Sequence, residues 1–327
     1  MADNAFLDLA QVRRNGRHGV LATVVRGQGP TYRSPGASAV ILDNDEVIGA
    51  VSGGCLQADL LEAARQVAAT GAARLLTYHT GAPEDLLWGT GSGCGGTVQL
   101  LVAPVADDLL AEVAGRLKAG EAVVLETVIE PGPDLGLRRL GHGPAPAFDY
   151  REDGTVFCQT IEPPTPLLVC GAGDDARPVV AMAAAAGFRV MVADHRPAWA
   201  TAQRFPAADQ VLICDCGELP TQLPLPAGSY VLLLTHHYER DLAHLGALLD
   251  QPVAYVGMLG SRDRCRQLVA QLLADRPDLA GATHLKLRAP VGLDLGADGP
   301  QEIAVAVVAE LLSHRAGRPG TPLTLAY

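Results

Sequence analysis

The residues in this chain best placed to do chemistry lie in a few short glycine-rich loops. The apolar run Leu167-Leu168-Val169-Cys170 leads into Gly171-Ala172-Gly173-Asp174-Asp175-Ala176, and a second run, Val190-Met191-Val192-Ala193, ends in Asp194. A strand, a glycine turn, a helix and a second strand ending in an acid have the spacing of a unit that cradles a dinucleotide. Gly171 allows the tight turn, Gly173 the close approach of backbone to phosphate, and Ala176 stands where a third glycine often lets the helix pack on the sheet. The helix start offers unpaired N–H groups and a partial positive charge to an anion. Asp194 sits where a carboxylate accepts from a ribose hydroxyl. The turn also carries Asp174-Asp175, which is awkward beside a pyrophosphate unless a metal or an arginine offsets the charge. Arg177 and Arg196 are close in sequence.

Two further polar loops follow apolar runs: Thr235-His236-His237-Tyr238, and Gly260-Ser261-Arg262. Ser261 can cap a helix and Arg262 can pair with a phosphate or carboxylate. Singly, such loops are local caps and surface histidines. Three of them at one sheet edge favour a ligand site built from Gly171, Gly173, Asp174, Asp194, Thr235, His236, Gly260, Ser261 and Arg262. The glycine-punctuated segment 288–296 is either a connector or a loop that closes over that site.

Cysteine supplies the other chemistry. Cys55 follows Gly53-Gly54 just before a helical stretch, where the helix dipole favours thiolate. Cys94 lies in the cluster Gly89-Thr90-Gly91-Ser92-Gly93-Cys94-Gly95-Gly96, where the backbone gives access. A lone cysteine is more often a small buried hydrophobe. Glycine clusters at strand ends are not core positions, so both thiols stay open as ligands to a soft metal such as molybdenum, or as nucleophiles and sulfur acceptors. No spacing supports a structural zinc site, and Cys214-x-Cys216 reads as a strand end without a role. Arg33, in Pro30-Thr31-Tyr32-Arg33-Ser34-Pro35-Gly36, can clamp an anion with paired donors; the ordinary reading is a surface arginine.

The elements that must position these loops follow from periodicity. In the first half, helices are expected over 6–14, 56–70 and 106–118, and strands over 20–25, 37–42, 47–51, 74–78, 98–104, 122–129 and 155–160. The Pro- and Gly-rich stretch 131–166 should hold a few antiparallel strands and then a linker, marked by Pro163-Pro164-Thr165-Pro166. Beyond it strands (167–170, 189–193, 210–214, 230–234, 254–259) alternate with helices (178–186, a short one over 198–205, 241–249, 262–274), and a last helix covers 300–315. This predicts a C-terminal Rossmann-like doubly wound parallel sheet over 163–327, plus an N-terminal mixed α+β domain over 1–162.

The 327 residues suffice for two or three cores, and 48% are apolar. A net charge of -11 leaves no basic excess for nucleic acid or an anionic membrane. No membrane span or signal peptide is read, and seven cysteines fit a reduced cytoplasm.

Taken together, the loops 29–37, 51–57 and 93–96, the turn 171–176, Asp194-His195-Arg196-Pro197, Thr235-His236, Gly260-Ser261-Arg262 and the segment 290–296 resemble the XdhC/CoxI family, in the family's order and over nearly the whole chain. These are accessory proteins of molybdenum hydroxylases such as xanthine dehydrogenase and aerobic carbon monoxide dehydrogenase. The resemblance implies a chaperone that binds molybdenum cofactor (molybdopterin or its dinucleotide form), promotes its sulfuration by a cysteine desulfurase and helps insert it into the apoenzyme. With the apolar content, it also makes a homodimer plausible. Cys55 and Cys94 match the family's glycine-flanked cysteines, with sulfur handling or molybdenum ligation as their implied role. Gly171, Gly173 and Asp194 match its Rossmann-type motif. The chain departs from the pattern at Gln57, where many members have Glu, and at Asp174-Asp175-Ala176, where some have His-Val-Gly. Two other readings stand beside this one. The first is an NAD(P)-dependent oxidoreductase using His236 or Tyr238 as acid–base group. The second is a binding module that regulates a partner and has lost its ligand, against which the intact glycine loops argue.

Overall fold

The computed structural model describes residues 5–79, 96–143, 146–151, 153–215 and 225–322. Cys94 and Cys216 lie outside the described residues. The chain divides into two compact units, Met1–Pro163 and Pro164–Tyr327.

The first unit has a five-stranded antiparallel sheet in the order β3-β2-β1-β5-β4: β1 (Gly19–Gln28), β2 (Ser38–Leu42), β3 (Val47–Gly49), β4 (Arg74–His79) and β5 (Thr97–Ala103). A four-stranded antiparallel sheet, β7-β6-β9-β8, is made of β6 (Val123–Val128), β7 (Arg138–Leu140), β8 (Phe148–Tyr150) and β9 (Val156–Ile161). Side chains alternate across a strand, so one sheet can serve two cores. Val20, Ala22 and Val24 of β1 pack with Leu60, Ala63 and Val67 of helix α2 (Gln57–Thr70). Leu21 packs with Phe6 and Leu9 of α1 (Ala5–Arg14) and Val113 and Leu117 of α3 (Asp107–Lys118). The β1–β5 register shifts between Val24 and Arg26, and Val25 joins a third cluster with Leu101 and Phe157. Such a bulge re-aims the residues beyond it.

The second unit is a six-stranded parallel sheet in the order β12-β11-β10-β13-β14-β15. Its strands are β10 (Thr165–Cys170), β11 (Phe188–Asp194), β12 (Gln210–Ile213), β13 (Tyr230–Leu233), β14 (Tyr255–Met258) and β15 (Leu287–Arg288). In chain order this is 3-2-1-4-5-6, the doubly wound arrangement. Leu167 and Val169 face a core closed by α4 (Ala176–Ala185) and α8 (Pro300–Arg315). Leu168 and Cys170 face the opposite core, closed by α5 (Tyr238–Leu249) and α6 (Arg262–Asp275). A further helix, α7 (Ala280–Lys286), precedes β15. No helix among the described residues is long and apolar enough to cross a membrane.

One expected helix is absent. Residues 198–205 form turns, in which the N–H groups of Trp199 and Ala200 both donate to the Arg196 carbonyl. The Trp199 indole lies between the guanidinium groups of Arg196 and Arg204, each 4.7 Å from the ring centre. That stack arranges the segment as a loop rather than as a helix with one apolar face.

Candidate functional site

In a sheet of this order, ligands sit at the carboxyl ends of the strands where the winding reverses, between β10 and β13. The glycine turn leaves β10 there, and Thr235-His236-His237 leaves β13 beside it. Gly171 has φ +113, and a Cβ on it would lie 2.5 Å from the Leu234 carbonyl oxygen. Glycine is therefore required at this position by the neighbouring strand end, with or without a ligand.

The first two N–H groups of the turn have partners within the protein. The Gly171 N–H donates to the Ala193 carbonyl (2.8 Å). The Ala172 N–H donates to Asp194 Oδ2 (2.8 Å). Asp194 is 4% exposed and also accepts from the backbone N–H of Arg196 (2.8 Å) and from that residue's Nε (2.9 Å) and terminal nitrogen (2.7 Å). Burial alone would raise the Asp194 carboxyl, but the Arg196 guanidinium and the two backbone N–H groups bring it down to about 2. The acid placed to receive a ribose hydroxyl is thus engaged by the protein itself.

The aspartate pair is offset by side chains from other loops. Asp174 accepts from Arg204 (2.8 Å) and lies 3.9 Å from Arg177. Asp175 is the N-cap of α4: its Oδ1 accepts from the Ala176 N–H (3.0 Å) and its Oδ2 lies 2.6 Å from His236 Nε2. A Cβ on Gly173 would meet Asp175 Oδ1 at 2.6 Å. Gly173 therefore makes room for the chain's own carboxylate. Burial opposes ionisation of Asp175, but its bond to His236 and the backbone N–H groups outweigh it and hold the carboxyl below its ordinary range. The same bond holds the His236 imidazolium above its ordinary range, against desolvation. His236 has φ +57, a left-handed conformation unusual for a residue with a Cβ.

Beside the turn lies a cavity of 330 Å³. It is lined by Gly171, Asp194, Arg196, Thr235, His237 and Arg240 among others. Asp215, two residues beyond β12, pairs there with Arg240 (2.8 Å) and with His244 Nε2 (2.6 Å). His244 is 3% exposed, and its Nδ1 is buried without a hydrogen-bond partner among the described residues. Buried polar atoms of this kind are rare and mark a place where a ligand or water completes the structure. Sequence reasoning passed over Asp215, Arg240 and His244. The signal available for two of them was their i, i+4 spacing on α5, which puts them on one helix face.

The third loop contributes differently from what its residue types promised. Ser261 caps α6, accepting from the Arg264 N–H (3.3 Å). The Arg262 guanidinium is exposed and lies 3.5 Å from the Asp294 carboxylate, itself exposed. Two residues further on, Arg264 donates to the fully buried Asp241 (2.6 Å), and the Thr235 hydroxyl donates to the same carboxylate (2.5 Å). A Cβ on Gly260 would come within 3.1 Å of Arg264. Thr235 and Gly260 are thus tied to an Asp241–Arg264 pair that anchors the β13 and β14 loops.

In the first unit, Cys55 is exposed in the loop before α2, whose Leu56 N-cap makes no side-chain bond. The Tyr32 ring lies 3.5 Å from where a Cβ of Gly53 would be, and Arg33 donates to the Ala50 carbonyl (3.0 Å). A Cβ on Gly96 would lie 2.3 Å from the Pro30 carbonyl oxygen. The loops carrying Arg33, Cys55 and Gly96 are thus packed together at one end of the five-stranded sheet. Among the described residues, no group of three His, Cys, Asp or Glu could hold a metal ion.

Residues 167–311 match the model of the XdhC Rossmann domain, and residues 12–79 that of the XdhC and CoxI family. Over 315 residues the chain is 32% identical to a Bacillus subtilis protein named as a probable xanthine dehydrogenase subunit, covering 90% of this chain and 93% of that one. It is 27% identical to the Escherichia coli molybdenum cofactor insertion chaperone PaoD, covering 92% and 85%. A crystal structure described as a xanthine dehydrogenase from Bacillus halodurans superposes with a TM-score of 0.78 at 29% identity, covering 99% of this chain and 98% of that one.

Proposed function

Because this chain belongs to the XdhC and CoxI family, we propose that it is an accessory protein which binds molybdenum cofactor and assists its insertion into an apoenzyme of the xanthine dehydrogenase type. The observation that carries the reading is the match over nine-tenths of the chain to a relative named as a molybdenum cofactor insertion chaperone. The donor set is compatible with such a ligand. The cavity beside Gly171 has Arg196, Arg240 and His237 at its wall for a phosphate, and the buried His244 Nδ1 has no partner among the described residues. The exposed Cys55 thiol offers one soft sulfur donor of the kind molybdenum accepts, and Cys94 is its proposed counterpart. The pterin would keep the metal and the protein would hold the pterin.

The bound group supplies molybdenum and the sulfur ligands through which the target enzyme is activated. This chain's residues bind and shield it. Arg196 and Arg240 would neutralise the phosphate, and the Cys55 thiolate, with Cys94, would attack the outer sulfur of a desulfurase persulfide, forming a new persulfide and releasing the desulfurase thiol. A cytoplasmic setting, a homodimer and a carbon monoxide dehydrogenase type target are parts of the same proposal. The test is mass spectrometry of pterin copurified from cells supplied with molybdate, for the native chain and for the Cys55→Ala, Cys94→Ala and double variants. Pterin is expected with the native protein and reduced in the double variant. Undiminished retention and sulfuration in the double variant would overturn the role of the cysteines, and absence of pterin from the native protein would overturn the whole reading.

A further inference from the structure

We infer that Asp175 is a specificity determinant that denies the glycine turn to diphosphate-bridged dinucleotides such as NAD(P). This goes beyond the cofactor proposal and does not depend on it. The doubly wound order, the Gly171-Ala172-Gly173 turn and an acid ending the second strand are what a nicotinamide dinucleotide uses. In such sites the pyrophosphate lies against the N-terminus of the first helix, on its free N–H groups. Here that place holds a carboxylate of the chain.

Asp175 accepts from the first N–H of α4 at 3.0 Å and is held from the far side by His236 Nε2 at 2.6 Å. Gly173 has no Cβ where Asp175 Oδ1 lies, since one there would come within 2.6 Å of it. Another N–H of the turn, that of Ala172, is engaged by Asp194, which Arg196 also holds. A diphosphate entering this turn would meet the Asp175 carboxylate in its own position. Like charges juxtaposed at an interface are strongly unfavourable. Rotating Asp175 away would uncap α4 and break its contact with His236.

The two glycines and the acid that spell a dinucleotide motif are therefore explained by internal contacts. Gly171 yields to Leu234, Gly173 to Asp175, and Asp194 serves the Ala172 N–H and Arg196. The cavity that remains open has Gly171 and Arg240 in its wall but neither Gly173, Asp175 nor Ala176, so it does not open onto the first N–H of α4.

Calorimetric titration of the full chain with ADP-ribose and with NADH tests this. Two variants accompany the native protein: Asp175→Asn, which keeps a capping oxygen but removes the charge, and Asp175→Ser, which keeps a cap and removes the bulk. The native protein should show no saturable binding below about 1 mM for either ligand, and at least one variant should bind ADP-ribose on the order of tenfold more tightly or better. Micromolar binding of ADP-ribose or NADH by the native protein would overturn the inference. So would two folded variants with no gain. Should both variants fail to fold, the native titration alone decides, since weak binding supports the inference and micromolar binding removes it.

Discussion

The turn at Gly171 and the loop at Gly53-Gly54 look alike in sequence, since each follows an apolar strand and precedes a helix. In the structure they are opposites. A Cβ on Gly171 would strike the backbone of the neighbouring strand end, and the carboxylates beside it are bound to the protein's own N–H groups, arginines and histidine. Gly54 also has a positive φ (+106), but a Cβ there would meet nothing within 4 Å among the described residues, and the thiol that follows is exposed at a helix start with no side-chain cap. Glycine marks close packing in the first case and access in the second. The density of internal partners tells them apart, and a motif alone does not.

The sharpest way to break this contrast is to add a methyl group on each side. Gly171→Ala combines a forbidden φ with overlap against the Leu234 backbone, and should cost about 3 kcal/mol or more. Gly53→Ala places its Cβ in ordinary contact with the Tyr32 ring at 3.5 Å, and should stay within about 0.5 kcal/mol. Urea denaturation followed by hydrogen exchange, read separately for each unit, gives both values. Equal losses would erase the distinction.

Next in size is the acid dependence of the turn. The Asp194 carboxyl is lowered from its ordinary 3.8 to about 2, so the folded state favours the ionised form. That stabilisation is present above pH 4 and is lost as pH falls through the folded value, an effect of about 2 kcal/mol for this buried group. Denaturation of the C-terminal unit between pH 4 and 2 should show the loss, and Asp194→Asn should remove it. A native protein with no such slope would mean that the Ala172 and Arg196 bonds do not hold the carboxylate in solution.

These contrasts also explain what the sequence could and could not disclose. The parallel sheet was legible because strands such as Leu167–Cys170 are short apolar runs between helices, and burial on both faces demands that composition. The position of Gly171 was legible as a tight turn. What was not legible is that Asp175 and His236, 61 residues apart, meet at 2.6 Å, or that Asp194 turns inward to Ala172. Pairings of that kind depend on which strands become neighbours. The strands β7, β8 and β15 have two or three residues each, too few to carry a period. The loop over 198–205 is arranged by an Arg–Trp–Arg stack, which no local propensity encodes.

A smaller effect tests the pair that fills the turn. The His236 value is raised by Asp175, so its contribution is complete below about pH 6.5, the unfolded value, and fades as pH rises through the folded one. The Asp175 value is lowered, so its contribution is present above its ordinary 3.8 and fades as pH falls through the folded one. The pair is therefore strongest in mildly acidic solution. Because the His236 side chain is more than half exposed, the gain should be only about 0.5 kcal/mol. Asp241 and Arg264 also face this histidine, with opposite effects on it. Exchange protection at the start of α4 should peak in that window in the native protein and become flat in His236→Gln. A peak that survives the substitution would assign the pH dependence to another group.

The smallest effect on stability belongs to Cys55, and the smallness is what the contrast between the two loops requires. An exposed thiol outside the hydrophobic cores should tolerate Cys55→Ser within about 0.5 kcal/mol. Its chemistry should nevertheless be the most accessible of the described cysteines. Cys170 and Cys265 are at most 1% exposed, and burial raises the Cys265 thiol, so both should react only after the C-terminal unit opens. Native-state alkylation with mass-spectrometric mapping should therefore label Cys55 first, well ahead of Cys170 and Cys265. If Cys55 were protected in the folded protein, its loop would be a packed turn like that at Gly171, and the distinction between glycine for packing and glycine for access would fail where it bears most directly on function.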